Sequence, residues 1–308
     1  MAGRILNFGS LNIDYVYSLD HIVRAGETEA SLDYQVFPGG KGLNQSAALS
    51  RAGGRVFHGG RIGGEGLFLK TALEESGVDC RFLRVDDGAN GHAVIQRTPE
   101  GENCILLYPG ANHKNTRADM DGALACFDEG DVLVCQNETS EVGYLIEAAF
   151  RRGLRVAWNP SPVTDAVGAV EFSMLTWLII NEIEGQAITG ESAPEAMLEA
   201  LARRAPELRV VLTLGAGGSV YRHGDLVLTQ ARYEVPVRDT TAAGDTFLGY
   251  FIQEASADGR EPETVRRALK MASMAAALAV SREGAMPSIP RREEVLRELA
   301  KRGEADAV

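Results

Sequence analysis

The chain has 308 residues, 45% of them hydrophobic and 24% charged, a globular composition that excludes a disordered polymer. Its formal net charge of −12 argues against nonspecific nucleic-acid binding, which needs a basic surface, but leaves room for an anionic small-molecule substrate in one local pocket. The 34 glycines exceed the roughly 7% of average usage and predict many tight turns or close backbone–ligand approaches.

From the N-terminus, a strand is predicted at 4–10, followed at once by Asn12-Ile-Asp14. Such a pair at a strand's carboxyl end suits chelation of neighbouring sugar hydroxyls, and equally an Asx-turn. Residues 14–37 are irregular apart from the alternating SLDYQVF. The glycine-rich PGGKGLNQ at 38–45 then opens a helix predicted at 43–52, with Lys41 and Asn44 as polar groups at its entrance. It lacks the spacing of a Walker A loop, and a plain glycine turn with an exposed lysine fits as well. A strand at 55–60 and a helix at 68–76 follow. Residues 91–108 read as a hairpin, GHAVIQRT and NCILLY joined through Pro99-Glu-Gly101.

Strands are next predicted at 131–135, 154–158, 177–180 and 209–214, with helices at 142–152 and 193–204 between them. Strand–helix alternation predicts an α/β fold with a mostly parallel central sheet covered on both faces, and ligands beyond the carboxyl ends of its strands. Polar residues stand at three successive strand ends: Gln136-Asn-Glu138, Asn159-Pro160 and Asn181-Glu-Ile-Glu184. They suit a site along one sheet edge, or helix N-caps. Thr213-Leu-Gly-Ala-Gly-Gly218 also follows a strand, but the strand-like SVYRHG after it is wrong for a dinucleotide fingerprint and favours a hairpin turn. In DTTAAGDTF at 239–247, Ala242, Ala243 and Gly244 offer successive N–H groups to an oxyanion beside Asp245. An N-cap explains the carboxylate but not the small residues before it, so the segment favours phosphoryl-transfer catalysis.

Cys80, Cys104, Cys126 and Cys135 lack Cys-x-x-Cys spacing and sit in apolar-leaning segments, which predicts buried, reduced thiols. No histidine falls in a ligand-like spacing. The N-terminal MAGRILNFGSLNID has no signal-peptide pattern and no run approaches the ~20 apolar residues of a membrane span, so a cytoplasmic location is expected. The terminal GEADAV is expected to fray.

In register, FGSLNID, GGKGLNQSAALSRAG, GENCILLYPGAN, WNPSP, the Asn181-x-x-Glu184 motif, DTTAAGDTF and EGAMPSIP closely resemble the ribokinase-like (PfkB) family of carbohydrate kinases across nearly the whole chain. The resemblance implies one α/β domain over 1–308, a three-layer sandwich with a small β-sheet lid drawn from about 14–37 and 91–108, and a homodimer formed through that lid. It implies transfer of the ATP γ-phosphate to the 5-hydroxyl of ribose. A ketose, keto-deoxy sugar acid or nucleoside such as pseudouridine is the alternative acceptor, and a non-catalytic sugar- or nucleotide-binding protein the alternative class. Carried over by motif, Asn12, Asp14, Gly40, Lys41, Asn44 and Glu138 would hold the sugar. Asp245 would be the general base, with the N–H groups of Ala243 and Gly244 as anion hole. Asn181, Thr213, Gly215, Gly217, Gly218 and Gly244 would contact the nucleotide, and Glu184 would organise Mg²⁺. Asp239, Thr241, Ala279, Arg282, Gly284 and Ser288 would surround a monovalent cation such as K⁺. The sequence departs from the family pattern at Tyr250, at Asn137 and Thr139 around Glu138, and at His92 and Tyr108 in the hairpin.

Overall fold

In the computed structural model, which describes residues 3–258 and 261–304, strands and helices alternate for most of the chain. The order begins β1 (Ile5–Phe8), β2 (Asn12–Ser18), β3 (Asp33–Gly39), α1 (Lys41–Arg51), β4 (Val56–Gly63), α2 (Leu67–Glu75), β5 (Asp79–Asp86), β6 (Gly91–Arg97) and β7 (Asn103–Tyr108). It continues α3 (Arg117–Leu124), β8 (Val132–Gln136), α4 (Val142–Arg151), β9 (Arg155–Asn159), β10 (Trp177–Asn181), α5 (Glu182–Thr189), α6 (Pro194–Arg204) and β11 (Arg209–Thr213). The last elements are β12 (Ser219–His223), β13 (Leu226–Gln230), α7 (Ala243–Asp258), α8 (Pro262–Val280) and α9 (Arg292–Lys301).

Nine strands form the central sheet in the order β13-β12-β11-β10-β9-β8-β1-β4-β5. Pairing is parallel from β11 through β5, and antiparallel pairing is confined to the β11–β12 and β12–β13 pairs at one edge. Successive residues of a strand point to opposite faces, so a sheet covered on both sides needs continuous apolar runs. The strands obey this: Ile5, Val132, Val134, Ala157, Trp177, Ile179 and Val211 enter one core. Their neighbours Leu6, Leu133, Cys135, Val156, Trp158, Leu178 and Val210 enter the other. The first core is completed by α1, α2, α7, α8 and α9, and the second by α3, α4 and α6, giving a three-layer sandwich. A buried carboxylate, Glu254 of α7, ties three helices together, accepting from Arg267 of α8 at 2.8 and 2.5 Å and meeting Arg292 of α9.

Each of the six expected strands is present, with bounds shifted by up to three residues. The helix expected at 43–52 starts earlier, at Lys41, because Gly40 turns the chain with φ of 92° and delivers it into the first turn directly. A second sheet, ordered β3-β2-β6-β7, gathers the two segments that break the alternation into a lid. Its outer strand β7 is exposed along its length, with Ile105 57% and Leu106 70% accessible. A row of rings crosses all four strands on the face opposite Asp14: Tyr108 lies 5.0 Å from His92, His92 5.7 Å from Tyr15, and Tyr15 6.3 Å from Tyr34. His92 and Tyr108, out of pattern in the sequence, therefore stiffen the lid's back.

The cysteines are all free, but the expectation that all four are buried fails for two. Cys104 lies on exposed β7 and Cys126 on an exposed turn after α3, while Cys80 and Cys135 are buried. Of the expected fraying tail, residues 305–308 lie outside the described residues. Glu304 is held by Tyr233 at 2.9 Å and Lys270 at 3.0 Å. Among the described residues, no helix is long and apolar enough to cross a membrane.

Candidate active site

The strand order turns at β1, which has β8 on one side and β4 on the other, and the carboxyl ends around this point carry the polar residues singled out in the sequence. Asn12 and Asp14 leave β1 on the first strand of the lid, and β3 returns the chain to Gly39, opposite Asn12 in register, and on to Gly40. Two glycines make the close approach possible. A Cβ on Gly39 would lie 1.9 Å from Asp14 Oδ2, and one on Gly40 would lie 2.8 Å from the Asn12 nitrogen. Beyond them, Lys41 and Asn44 project from the first turn of α1.

Glu138, after β8, accepts from Ser10 Oγ at 2.5 Å and from the Lys41 N–H at 3.1 Å. Glu138 and Asp245 thus flank the Lys41 ammonium, and Asp14 lies close enough to both to feel their charges. Burial, then the charges of Glu138 and Asp245, pushes the Asp14 carboxyl up to about 7. Burial likewise raises Glu138, helped by Asp245 and opposed by Lys41 and Ser10. Burial disfavours charge on Lys41, but Asp245, Glu138 and Glu184 outweigh it and hold the ammonium above the ordinary lysine range.

Asp245 stands in the first turn of α7. Asn44 Nδ2 donates to its Oδ2 at 3.0 Å and Gln45 Nε2 to its Oδ1 at 2.9 Å. Ahead of it Ala242 takes a left-handed φ of 60°, a costly conformation for a residue with a side chain. It turns the chain so that the helix start faces outward. The Ala243 N–H leans on the Thr240 carbonyl at 3.3 Å, and the Gly244 N–H meets no acceptor among the described residues. Ala243 and Gly244 close one end of an apolar cleft of about 380 Å³. Thr213, Gly215 and Gly218 form another of its walls, and Val235, Val237, Phe247 and Ala276 supply apolar surface. The Thr213–Gly218 segment is thus a hairpin turn joining β11 to β12 and a cleft wall at once. Gly217 does not line the cleft; its N–H closes the turn on Leu214.

Asn181 and Glu184 form a capping box at the start of α5, Glu184 N–H donating to Asn181 Oδ1 at 2.8 Å and Asn181 N–H to Glu184 Oε2 at 3.0 Å. Asn181 is the register partner of Thr213, which sets it beside the cleft's edge. Asp239 accepts from the Thr241 hydroxyl at 2.6 Å, the Thr241 N–H at 2.9 Å and the Gly284 N–H at 3.1 Å. Burial works to raise its carboxyl, yet these bonds hold it below the usual range. The other expected cation-site residues are engaged elsewhere. The Arg282 guanidinium turns to Glu294 at 2.5 Å, Ser288 Oγ donates to the Ala285 carbonyl at 2.7 Å, and the Ala279 carbonyl accepts the Arg282 N–H at 3.0 Å.

Several contributors were not singled out in the sequence. Asn112 accepts the Leu11 N–H at 3.0 Å and donates to Asn12 Oδ1 at 2.7 Å, so it orients Asn12; the GAN motif at 110–112 was the available signal. Ser10 and Gln45 lie inside quoted motifs, but their partners are distant in sequence. The departures at Tyr250 and Asn137 have structural reasons. Tyr250 is buried with its hydroxyl donating to the Pro290 carbonyl at 2.9 Å, and Asn137 accepts from Trp158 Nε1 at 3.2 Å and ties down the loop after β9.

With the pocket and cleft meeting at one helix start, the chain belongs to the pfkB family carbohydrate kinases, whose pattern matches residues 3–292. It is therefore a carbohydrate kinase. It is 33% identical over 301 residues to a ribokinase of Haemophilus influenzae, covering 94% of this chain and 95% of that protein. Among solved structures it resembles a Cryptococcus neoformans ribokinase in complex with ADP, with a TM-score of 0.82 at 32% identity over 97% of this chain and 100% of that one. It also resembles an Arabidopsis thaliana ribokinase complexed with ribose and ATP, with a TM-score of 0.83 at 28% identity over 97% and 99%.

Proposed function

We propose that this kinase transfers the γ-phosphoryl group of ATP to the 5-hydroxyl of ribose, with Asp245 as general base. One observation carries the reading: the start of α7 is a shared wall, its Gly244 lining the apolar cleft while its Asp245 faces the polar pocket through Asn44. A nucleotide in the cleft and a sugar in the pocket would meet there. The relatives named above, several of them ribokinases at full length, support ribose as the acceptor.

The pocket's unused polar valences suit a polyol. Asn44 Oδ1 is buried without a protein partner among the described residues, and so can accept from a hydroxyl. Asn112 takes up Asn12 Oδ1 and so leaves the Asn12 amide nitrogen to donate. Asp14, Glu138, Lys41 and the Gly40 backbone complete the sugar's surroundings. Phosphoryl transfer through a loose transition state asks the protein mainly for positioning and charge stabilisation. Asp245 accepts the hydroxyl's proton as the new O–P bond forms and the bond from the γ-phosphorus to the β–γ bridging oxygen breaks, releasing ADP. The Ala243 and Gly244 N–H groups, at the positive end of α7, receive the negative charge on the transferred group. Asn181 and the Thr213–Gly218 turn border the nucleotide.

Glu184 spends one carboxylate oxygen on the cap, and its second oxygen suits Mg²⁺ through waters; the ion would neutralise phosphate charge. Asp239, ionised and set among the backbone of Thr241 and Gly284, suits a monovalent cation, and backbone carbonyls of Ala279, Arg282 and Ser288 are the groups that would complete its shell. Such an ion would add positive charge beside the anion hole. Turnover is therefore expected to be about tenfold higher in K⁺ than in a large organic cation at equal ionic strength, a difference worth about 1.4 kcal/mol in the barrier. Equal rates in the two salts would remove Asp239 and its neighbours from this role. The exposed apolar strand β7 at the lid's edge suits pairing with a second copy, which gives a homodimer. Four free thiols and the use of ATP suit the cytoplasm.

The acceptor is tested by an ATP-consumption screen across ribose, fructose, keto-deoxygluconate, ribonucleosides and pseudouridine. Ribose is expected to give the highest kcat/KM, and a clear preference for another acceptor would overturn the substrate assignment.

A further inference from the structure

We propose that Gln45 is a positioning residue for the proton-accepting carboxylate, the last member of a fully buried chain of side chains that fixes how Asp245 is held. The inference rests on the reading of Asp245 as general base. The chain starts on β4 and crosses beneath α1. His58 Nδ1 meets Ser46 Oγ at 2.7 Å, and Asn7 Nδ2 donates to that oxygen at 2.8 Å. Gln136 Nε2 donates to Asn7 Oδ1 at 2.9 Å and to Gln45 Oε1 at 2.6 Å, and Gln45 Nε2 donates to Asp245 Oδ1 at 2.9 Å. Asn7, Gln45, Ser46, His58 and Gln136 are each 0% exposed.

Two backbone carbonyls set the direction of every amide in this chain. The Gly42 carbonyl can only accept, so it draws Asn7 Nδ2 to 2.7 Å and turns Asn7 Oδ1 towards Gln136. The Ile179 carbonyl draws Asn159 Nδ2 to 3.0 Å in the same way, and leaves Asn159 Oδ1 to accept from Gln45 Nε2 at 3.2 Å. Gln136 Nε2 therefore faces Gln45 Oε1, and Gln45 has its donor end committed to the carboxylate. Rotating the Gln45 amide would set donor against donor at Gln136 and acceptor against acceptor at both Asn159 and Asp245. Space for the chain is reserved at Gly9, where a Cβ would lie 2.2 Å from Gln136 Oε1.

Asp245 has a second donor in Asn44, but Asn44 borders the sugar pocket, and its Oδ1 has no partner, so only the contact with Asp245 itself directs its amide. Gln45 is sealed from the pocket. Any effect it has on turnover must pass through Asp245. A network that merely stabilised the sheet would, on disruption, lower stability and leave kcat alone.

The test is a double-mutant cycle of Gln45→Met and Gln136→Met, with kcat and KM measured for the best acceptor of the screen and thermal melts run alongside. Misplacing a catalytic group by about 1 Å costs on the order of 10²-fold. Gln45→Met is thus expected to lose about that much in kcat, with the sugar KM within about twofold of wild type. Gln136→Met takes away the donor to Gln45 Oε1 while Asn159 and Asp245 still face its Nε2, and is expected to lose less. The double variant is expected to be no slower than Gln45→Met, because Gln136 acts only through Gln45. Should Gln45→Met fail to fold, Gln45→Asn keeps an amide but withdraws it from Asp245, and a comparable loss in kcat is expected. Wild-type kcat in folded Gln45 variants, a loss confined to KM, or additive losses in the cycle would overturn the proposal. Asp245→Asn separates the two readings. If it turns over normally, the base assignment falls; if it is inactive while Gln45→Met is fully active, only the positioning role falls.

Discussion

Asp245→Asn is expected to lower kcat by ~10²–10⁴-fold while sugar and nucleotide still bind. The substitution keeps the shape but removes the proposed proton acceptor. The fold tolerates it for a local reason. Gln45 cannot turn, so the new amide oxygen takes its hydrogen bond, and the new NH₂ then faces Asn44. Asn44 can flip to meet it with the Oδ1 that has no partner in the wild type. Calorimetric titration with sugar and nucleotide, together with steady-state rates, separates binding from chemistry. Near-wild-type turnover with intact binding would remove Asp245 from its role.

Asp14→Asn is expected to move stability and function in opposite directions. Asp14 is buried, and its folded-state value of about 7 lies above the 3.8 of an ordinary aspartate. A carboxyl with a raised value binds its proton more tightly in the folded state. Its contribution to stability is therefore full below about pH 4, is lost as pH rises to about 7, and stays lost above that. At about 1.36 kcal/mol per pKa unit, the penalty above pH 7 is on the order of 4 kcal/mol, which an uncharged asparagine avoids. Urea melts of the sugar-free protein at pH 4 and pH 8 are expected to show a stabilised variant at pH 8 and little difference at pH 4. An equal effect at both values would contradict this account of Asp14. Function pays in the other direction: hydrogen bonds from sugar hydroxyls to a charged acceptor are worth about 1.5–3 kcal/mol, so the sugar KM should rise by roughly 10–10²-fold. Unchanged sugar affinity would remove Asp14 from the pocket.

The central strands were legible because burial on both faces leaves uninterrupted apolar runs such as those of β8 and β10. The edge strand β5 was missed for the converse reason. Its DCRFLRVD is mostly part-exposed and carries charges on both faces, so no period marks it. Cys104 and Cys126 read as buried because their neighbours in sequence are apolar, yet β7 exposes Cys104 at an uncovered edge and the turn after α3 exposes Cys126. Motifs whose residues act close to their own backbone were readable, though not uniquely. Asn181-x-x-Glu184 fits both a cap and a ligand-bearing strand end, and the structure realises the cap while leaving one Glu184 oxygen over. The chain from His58 to Gln45 had no sign as a chain: Gln136 stood out at its strand end and Gln45 closed a quoted motif, but nothing local linked them to each other or to Asn7 and His58. Each of its members is a polar residue on an apolar element, and what makes it functional is a partner brought near by the sheet, as Gln136 is to Gln45 across 91 positions.

The most direct measurement is the position of the phosphate in the product formed from ribose and ATP, read by phosphorus–proton correlation NMR. Proton removal by Asp245 at the meeting point of pocket and cleft is expected to give a single monoester on the primary 5-hydroxyl, and none from Asp245→Asn. A phosphate on the anomeric or a secondary hydroxyl, or release of inorganic phosphate with no sugar ester, would contradict it.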